Sequence, residues 1–482
     1  MRTIFKAMSV SVLALVAAGC KLTPPPTPLD KPGDMPAGFT APVVDKNAPI
    51  WPAADWWNNY NAPELPMLME TAMRENLDLK VAQGRVLESE ANNTIAFAAL
   101  LPTVGGTLSA RKAGNNSTNA DTFGAGFTGN YVLDFFGQNR ARLKAADENL
   151  RGARYSAATT GLTIEQAVAN AYFTILQLRE RIAITRQNLD LSRRVLAISQ
   201  AKFAAGVTSN LDVMTETAQV ASQQSQLPPL IEQEREARYT LAVLLGLPPE
   251  NFDIKGQNLD GINVPTVQAG LPSDLLLRRP DIALAEANLY AAHANVDAAR
   301  AAFFPQVGLN AGLSWGSGVL GTIFDPASLA WNIGASLTQS IFDGGVINAR
   351  DRQARAIQDE QIAAYRKQVF TAFQQVESAV GSADAISQQL AFIEEQEKAS
   401  VEAERISELQ YREGTIDITT LLNQQSSLFN AQISRVNAKL SRLQNSINLY
   451  IALGGGWDQK KSDTDYKPRQ DMDWFPILGP RD

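Results

Sequence analysis

The sequence has very few of the side chains that perform most protein chemistry. Its 482 residues include one cysteine and one histidine, Cys20 and His293. A single cysteine cannot form a disulfide within the chain, and one histidine without neighbouring cysteines offers neither a catalytic pair nor a metal-binding cluster. We therefore expect no enzymatic activity, no metal and no cofactor, and we assign His293 to helix packing or to the surface.

The chain also lacks two features that are typical of other protein classes. After the first 20 residues, no stretch offers about 18 consecutive apolar residues, so no transmembrane helix is predicted. The net charge is −7, which leaves no basic face to bind the phosphates of a nucleic acid. Hydrophobic residues nevertheless make up 45% of the sequence, which is enough for a folded chain.

The first 20 residues have the pattern of an export signal. Two basic residues precede a short apolar stretch at 8–16, and the segment ends in Ala-Ala-Gly-Cys. The apolar stretch is too short to span a bilayer, which favours cleavage and export. The cysteine after small residues resembles a bacterial lipobox, whose cysteine becomes the acylated N-terminus; a stray cysteine in an ordinary signal peptide is the alternative. We predict a signal peptide over 1–19, lipidation at Cys20 and a proline-rich tether over 20–62.

Most of the remaining sequence is present twice. The segment that begins at Leu77 aligns with the segment that begins at Pro280, and Pro102 in the first copy matches Pro305 in the second. A repeat is one structural unit that usually needs its neighbour to bury its apolar face. Each copy has the order helix, two glycine-rich strands, very long helix, sharp turn, helix. We therefore predict repeat 1 over 63–264, repeat 2 over 265–456 and a C-terminal tail over 457–482.

The predicted strands, at about 103–136 and 306–342, alternate with a period of two. One face carries large apolar side chains, whereas the other carries mostly Gly, Ser, Thr and Asn, and both faces are almost free of charge. This fits outer-membrane barrel strands with lipid on one side and water on the other; a soluble sandwich, the alternative, would typically have a charged solvent face. Four strands cannot close a barrel in a membrane, so we expect three chains to supply twelve strands.

Two matches to the dinucleotide-binding pattern G-x-G-x-x-G, at 124–129 and 316–321, fall in the same region. A dinucleotide fold needs this motif between a parallel strand and a helix. Here one match lies inside a predicted strand and the other lies in a predicted hairpin loop. We therefore do not expect nucleotide binding.

The longest helices are predicted at about 138–204 and 346–412, where the sequence contains no proline. A helix of about 67 residues is on the order of 100 Å long and needs partner helices along its length. Each long helix is followed by a glycine-containing turn, at about 203–212 and 411–420, and by residues suited to the N-terminus of a returning helix. The double proline at 228–229 is expected to interrupt and kink the first returning helix.

Together these features resemble the TolC-like outer-membrane factor family, specifically the acylated outer-membrane lipoproteins of RND-type efflux systems. The agreement covers most of the mature chain. It is carried by Trp-Trp at 56–57, LDLKVAQGRV, LPTVG, LDFFG, the double proline, LAVLLGLPP and, most specifically, LPSDLLLRRPDIALAEANLYAAHANVDAARAAFFP at 271–305.

The resemblance implies an α+β membrane protein that forms a homotrimer. Its 12-stranded outer-membrane β-barrel, with four strands from each chain, would be continued by a long α-helical periplasmic barrel with an equatorial belt. The implied function is passive conduction of drugs or other small solutes. The implied partners are a periplasmic adaptor protein, an inner-membrane RND transporter and outer-membrane lipid held through acylated Cys20.

The resemblance also implies two kinds of site at the glycine turns. A passive duct must be shut at its periplasmic end, and the family's gate has an aspartate and a tyrosine at positions that match Asp212 and Tyr411; the alternative is that Asp212 caps its helix and Tyr411 packs. Where the family often has a lumenal carboxylate ring, this sequence has Asn423, and Asp417 is the nearest carboxylate. Adaptor docking is expected around Gly206, Val207, Thr208, Gly414 and Thr415.

Two other functions stay open on the sequence alone. The same architecture serves as the outer-membrane duct of type I protein secretion, and a non-conducting structural lipoprotein would have similar coiled-coil helices. The lipobox and the run at 271–305 favour efflux over secretion, and the four strands speak against a purely structural coiled coil. No motif specifies the transported substrate, because selection belongs to the pump.

Overall fold

A computed structural model describes Phe39, residues 50–114, 119–265, Val267 and 272–465. Cys20, the predicted signal peptide and most of the predicted tether and tail lie outside these residues. The chain forms two compact units. Among the described residues, the first unit contains Arg85–Arg154 and Leu284–Lys367, and the second contains those of Lys31–Gly84, Tyr155–Ala283 and Gln368–Asp482.

The elements follow the order expected for a duplicated chain. The strands are β1 (Thr103–Gly114), β2 (Asn119–Leu133), β3 (Gln306–Ser317) and β4 (Leu329–Thr338). The α-helices are α1 (Leu65–Glu75), α2 (Leu77–Ala98), α3 (Gln138–Ala204), α4 (Asn210–Leu244), α5 (Pro272–Leu275), α6 (Pro280–Ala301), α7 (Val346–Glu413), α8 (Ile418–Ala452) and α9 (Gln459–Asp465). Short 3-10 helices occur at Trp56–Tyr60, Leu320–Thr322 and Pro326–Ser328.

Corresponding elements of the two copies have nearly equal lengths. Helices α2 and α6 each have 22 residues, α3 and α7 have 67 and 68, and α4 and α8 each have 35. The predicted long helices and the four strands are confirmed. The two compact units do not follow the repeats, since each unit takes segments from both copies. The predicted repeat boundaries stay a prediction.

The first unit contains a four-stranded antiparallel sheet in the order β1-β2-β3-β4. Its register places Phe127 opposite Leu313, and Leu313 opposite Trp331, so that large apolar side chains form a row across three strands. Trp331 and Ile333 are 73% and 80% exposed. A sheet face this apolar needs a non-aqueous environment or a partner, and lipid supplies it in an outer-membrane strand.

The opposite face of the sheet is built from glycine and asparagine in direct cross-strand pairs. Gly312 lies opposite Asn332, and Asn310 lies opposite Gly334. A Cβ at Gly312 would collide with the Asn332 side chain, and one at Gly334 would lie 2.7 Å from Oδ1 of Asn310. Each glycine therefore leaves the space that an asparagine on the next strand fills. The small polar face is a packed surface.

Neither glycine-rich pattern in this region has the context of a dinucleotide site. The match at 124–129 lies inside β2, and the match at 316–321 begins at the end of β3 and continues into the 3-10 turn at Leu320–Thr322. Both neighbours of β2 pair with it in antiparallel fashion. The motif requires a parallel strand followed by a helix, and neither match has that context.

An aspartate marks the start of each long helix. The Asp134 carboxylate accepts a hydrogen bond from the Asn139 backbone N–H at 3.1 Å. Asp343 accepts from the backbone N–H groups of Gly345 and Ile347, both at 2.8 Å. These bonds satisfy amides that have no partner within the helix. The bond from Ile347 is the main reason why the pKa of Asp343 is lowered.

An aromatic cluster lies in the core of the second unit. The Trp56 ring stacks on Tyr450 with centroids 5.5 Å apart, and Tyr60 lies 5.5 Å from Phe173. The Tyr60 hydroxyl bonds to Oγ of Ser446 at 2.9 Å. The 3-10 segment that precedes the first repeat is thus fixed against a helix from each copy by buried aromatic area, a large contributor to core stability.

Helix α4 does not end at its double proline. It is continuous from Asn210 to Leu244, with Pro228 and Pro229 inside it. The expected interruption is therefore wrong, whereas the expected kink stays a prediction. Residues on both sides of the prolines pack on α3, where Leu227 and Leu230 contact the cluster that contains Leu178 and Ile182. This packing offsets the backbone hydrogen bonds that two prolines remove.

The most family-specific run contains a buried structural clamp. The Arg279 guanidinium donates to the backbone oxygen of Ala452 at 2.8 Å and to Oε1 of Gln375 at 2.8 Å, and it pairs with Asp281 at 2.6 Å. Every acceptor comes from a different part of the chain.

Among the described helices, none is long and apolar enough to cross a membrane.

Candidate gate and docking site at the helix ends

The two long helices end in the same turn, and both turns lie in the second unit. At the end of α3, the Val207 N–H donates to the Lys202 carbonyl at 2.9 Å. At the end of α7, the Thr415 N–H donates to the Gln410 carbonyl at 3.0 Å. These bonds define a Schellman cap, which needs a left-handed residue. Glycine supplies it at φ +73° and +79°, at Gly206 and Gly414.

Tyr411 joins the ends of α3 and α7. Its hydroxyl lies 3.0 Å from Oγ of Ser199, and the Lys202 ammonium donates to the Tyr411 carbonyl at 2.7 Å. The same ammonium lies 4.0 Å above the Tyr411 ring, close enough for a cation–π contact. Tyr411 is only 5% exposed and packs with Val195 and with α8. Sequence reasoning missed Ser199 and Lys202 because no motif marks them.

Asp212 forms hydrogen bonds with residues of the first glycine turn. The Thr208 hydroxyl donates to the Asp212 carboxylate, and the Asp212 backbone N–H donates to Oγ of Ser209 at 3.3 Å. Ser209 is the N-cap of α4. Within one chain, the contacts of Asp212 and of Tyr411 therefore go to different residues; Tyr411 packs as in the alternative, whereas the cap of α4 is Ser209 and not Asp212. A bond between Asp212 and Tyr411 stays a prediction for the assembled protein.

Asp417 and Asn423 are both exposed, but they differ in charge and in their hydrogen bonds. Asp417 is the N-cap of α8, and its carboxylate accepts from the Thr420 N–H at 2.7 Å. This bond is the main cause of the lowered pKa of Asp417. The backbone carbonyl of Asn423 accepts a hydrogen bond from the Ser427 hydroxyl at 2.9 Å. Asp417 thus keeps its negative charge, while Asn423 contributes none.

The predicted docking residues lie at the turns themselves. Gly206, Val207, Gly414 and Thr415 are exposed and Thr208 is half-buried. Beside the first turn, the apolar side chains of Val207 and Leu211 are each 73% exposed. Phe203 and Met214 extend the same apolar surface along the two helices. Apolar groups this exposed at one place indicate an interaction surface.

A buried carboxylate lies two turns from the α4 cap and was not identified from the sequence. Glu216 occupies a seam of α4 in which every third or fourth residue is buried: Val213, Glu216, Val220 and Gln223. Its side chain is 0% exposed, and among the described residues neither carboxylate oxygen has a hydrogen-bond partner. Burial raises the pKa of Glu216 to about 7. Its position at the heptad spacing of a coiled-coil seam is the signal that could have revealed it.

His293 is a packing residue in the first unit. It is buried in α6, with Nδ1 3.1 Å from Nε2 of Gln358 and Nε2 3.9 Å from the Asp297 carboxylate. In the part of the chain that the structure describes, no group of three or more His, Cys, Asp or Glu side chains is arranged to hold a metal ion.

Comparison with known proteins identifies the family. The family model described as "Outer membrane efflux protein" matches residues 68–247 and 271–455. The pyoverdine export outer membrane protein OpmQ of Pseudomonas aeruginosa is 36% identical over 477 residues, covering 94% of this chain and 98% of that protein. The toluene efflux pump outer membrane protein TtgC of Pseudomonas putida is 31% identical, covering 93% of this chain and 95% of that protein.

A solved structure agrees with this assignment. The outer-membrane channel OprN superposes with a TM-score of 0.83 at 28% identity, covering 91% of this chain and all of that chain. The fold-class prediction is confirmed, because the described chain is mostly helical with one four-stranded antiparallel sheet. The chain belongs to the outer membrane efflux protein family and is the outer-membrane component of an efflux system.

Proposed function

We propose that three copies of this chain close into one passive duct through the outer membrane and the periplasm. The observation that carries the proposal is the sheet: its apolar face is exposed, and among the described residues of one chain β1 and β4 are unpaired edges. Open edges do not occur in hydrocarbon, because their backbone groups have no water to bond. Three such sheets supply twelve strands, within the range of closed outer-membrane barrels.

The partners that fit this duct are a periplasmic adaptor protein and an inner-membrane RND transporter. In this proposal the duct has no energy source of its own, so the transporter supplies the energy for export. The apolar surface of Phe203, Val207, Leu211 and Met214 supports docking of an adaptor helix beside the first glycine turn. Upstream of the described residues, we propose that Cys20 carries the acyl anchor.

The proposed substrates are small organic solutes. OpmQ is named for pyoverdine export and TtgC for toluene efflux, and these two compounds differ greatly in size and polarity. A duct that serves such different molecules selects little itself. The small uncharged face of the strands, with its Gly–Asn pairs, fits a wetted lumen without a specific binding site.

The closed state of the duct is proposed to depend on the ends of α3 and α7. Tyr411 and Lys202 fix the two ends within one chain, and Asp212 is the partner proposed for Tyr411 in the assembled gate. Asp417 is the carboxylate available to a lumenal ring at this level, since Asn423 is uncharged. Losing one shielded hydrogen bond to a charged group costs roughly 1.5–3 kcal/mol, enough to shift a closed state by more than tenfold.

Conductance in planar bilayers tests the gate. We expect wild-type channels to be mostly closed, and Asp212→Ala and Tyr411→Phe each to raise the mean conductance by about tenfold, since each removes a bond of roughly 1.5–3 kcal/mol. Tyr239→Phe is the matched control, because Tyr239 is an exposed tyrosine on α4 that lies away from the glycine turns.

Three results would redirect the proposal. A Tyr411→Phe channel indistinguishable from wild type would contradict the proposed role of Tyr411 in closing the gate, but it would not contradict the proposed duct. No conductance from any variant would favour a structural lipoprotein. Export of a polypeptide by the reconstituted system, without efflux of small solutes, would favour type I secretion.

A further inference from the structure

A cavity of about 460 Å³ lies within the second unit. Most of its walls come from α1, α2 and α3 and from residues within 455–462, the segment that follows α8. This volume is within the range of small-molecule binding sites in proteins. The lining residues all belong to one chain, so no partner subunit is needed to form the cavity.

Most of the cavity wall is apolar. Its α3 residues recur at the spacing of one helix face: Ala157, Ala158, Gly161 and Leu162. Met73, Leu79 and Trp457 supply larger apolar side chains from the other walls. Because three of the four α3 residues are small, they leave open the space that the cavity occupies. The cavity therefore suits the hydrocarbon part of a ligand.

One buried carboxylate, that of Glu165, also lines the cavity. Glu165 lies one turn beyond Gly161 on the same face of α3 and is only 7% exposed. Trp56 donates to its Oε2 from Nε1 at 3.2 Å. Burial outweighs this one bond and raises the pKa of Glu165 to about 7.

Glu165 has no counter-charge among the described residues. The described lining residues include no lysine, arginine or histidine. The other lining carboxylate, Asp458, already has an interaction of its own. A buried carboxylate with one neutral donor is poorly stabilised as an anion, and a cation in the cavity would supply the missing charge-assisted bond.

The wall formed by the C-terminal segment is held by contacts outside the cavity. The Tyr155 hydroxyl donates to the Asp463 carboxylate at 2.8 Å, and the Tyr155 ring packs edge-on against Trp457 with centroids 5.7 Å apart. A Cβ at Gly455 would collide with the Leu162 side chain, so the loop after α8 approaches α3 closely. The cavity is therefore preformed, which lowers the entropic cost of binding.

We propose that this cavity binds a small lipophilic organic cation, such as a protonated aliphatic amine. The ammonium group donates to the Glu165 carboxylate, and the hydrocarbon part lies among the apolar side chains of α1, α2 and α3. The proposal does not rest on the trimeric duct or on the gate, because one chain supplies the whole site. Its failure would therefore leave the proposed function unaffected.

Isothermal titration calorimetry of the full-length protein in amphipol tests the site with two probes of the same shape. 1-Adamantylammonium carries the positive charge, and 1-adamantanol is its neutral counterpart. We expect wild type to bind the ammonium at least about tenfold more tightly than the alcohol, the difference expected for one charge-assisted hydrogen bond. Glu165→Gln should remove this difference, because the amide can still accept from Trp56 but carries no charge.

The pH dependence gives a second measurement of the same contact. The ammonium requires ionised Glu165, whose pKa is about 7 in the empty cavity. Its affinity for wild type should therefore fall about tenfold from pH 8 to pH 6, as the ionised fraction falls. The affinity of the alcohol should not follow this change, and neither should that of the ammonium for Glu165→Gln.

Glu88→Gln is the matched control. Glu88 is an exposed carboxylate on α2 that lies outside the cavity lining, and its loss should leave both affinities within about twofold of wild type. Gly161→Leu tests the apolar wall independently of Glu165. A Cβ at Gly161 would lie 3.6 Å from Cε of Met73, so a leucine there should fill the cavity and abolish binding of both probes.

Three outcomes would overturn the proposal. Equal affinity of wild type for the two probes would show that the carboxylate plays no part. Undiminished binding of the ammonium by Glu165→Gln, or by Gly161→Leu, would place the amine elsewhere on the protein. Absence of any binding of the ammonium to wild type at millimolar concentration would show that the cavity is not a site for amines.

Discussion

At the residue scale, the ends of α3 and α7 are joined by side chains that no sequence motif identifies. The family resemblance identified Tyr411, but its contacts in the chain are Ser199 and Lys202, which lie 212 and 209 residues away. Sequence spacing gives no information on such a pair, because the contact exists only once α3 and α7 end side by side. The same applies to Gln375 and Ala452, the distant partners of Arg279. A residue can thus be predicted to matter while its partner cannot.

Glu216 gives a pH prediction at the same scale. Its folded pKa of about 7 is raised from the ordinary 4.5 by burial, so the folded state holds this proton more tightly than the unfolded state. Stability from this group is therefore complete below pH 4.5 and is lost as the pH rises towards 7, by at most about 3 kcal/mol. Above pH 7 the difference no longer changes.

Denaturant unfolding at several pH values measures this effect. Glu216→Gln, which cannot ionise, should lose the part of the slope between pH 4.5 and 7 and should be more stable than wild type at pH 8. Glu236→Gln, at an exposed position of the same helix, should keep the wild-type slope. An unchanged slope in Glu216→Gln would show that Glu216 is hydrated in the assembled protein.

At the element scale, the strands were predictable because alternation is a local property. Each strand needs one face for lipid and one for water, and a period of two in the sequence records that need. The Gly–Asn pairs across β3 and β4 were not predictable, since they depend on the register between strands. The double proline shows the opposite case: local propensity predicted an interruption with a kink, and the helix is continuous where Leu227 and Leu230 pack on α3.

The two faces of β4 give a matched pair of substitutions. Ile333→Lys places a charge on the apolar face and should lower the stability of the assembled channel by about 2–4 kcal/mol, the cost near the middle of a bilayer. Ser336→Lys, on the opposite face, should cost much less, because that side of the strand is wetted. Urea titration of folding into liposomes measures both.

Equal costs for the two lysines would mean that the faces do not differ in environment. Such a result would support the soluble-sandwich alternative for these strands. A larger cost for Ser336→Lys would place the lipid on the other face and would reverse the proposed lumen.

At the scale of the whole molecule, the described chain is incomplete by itself. A four-stranded sheet with two free edges and an exposed apolar face cannot stand alone in a bilayer. We expect native mass spectrometry of the detergent-extracted protein to show three chains for each complex, at protein concentrations down to the micromolar range. A monomer as the main species, with full helical content, would contradict the trimeric duct.

The sequence by itself determined the elements and their duplication, because helix and strand periods, glycine turns and capping residues are encoded within a few residues of where they act. It also determined the family, through runs such as 271–305. Only the tertiary structure decided the partners of Tyr411, the continuity of α4 and the burial of Glu216. These features arise from contacts between segments that are far apart in the sequence, whose energies depend on distances that no local pattern records.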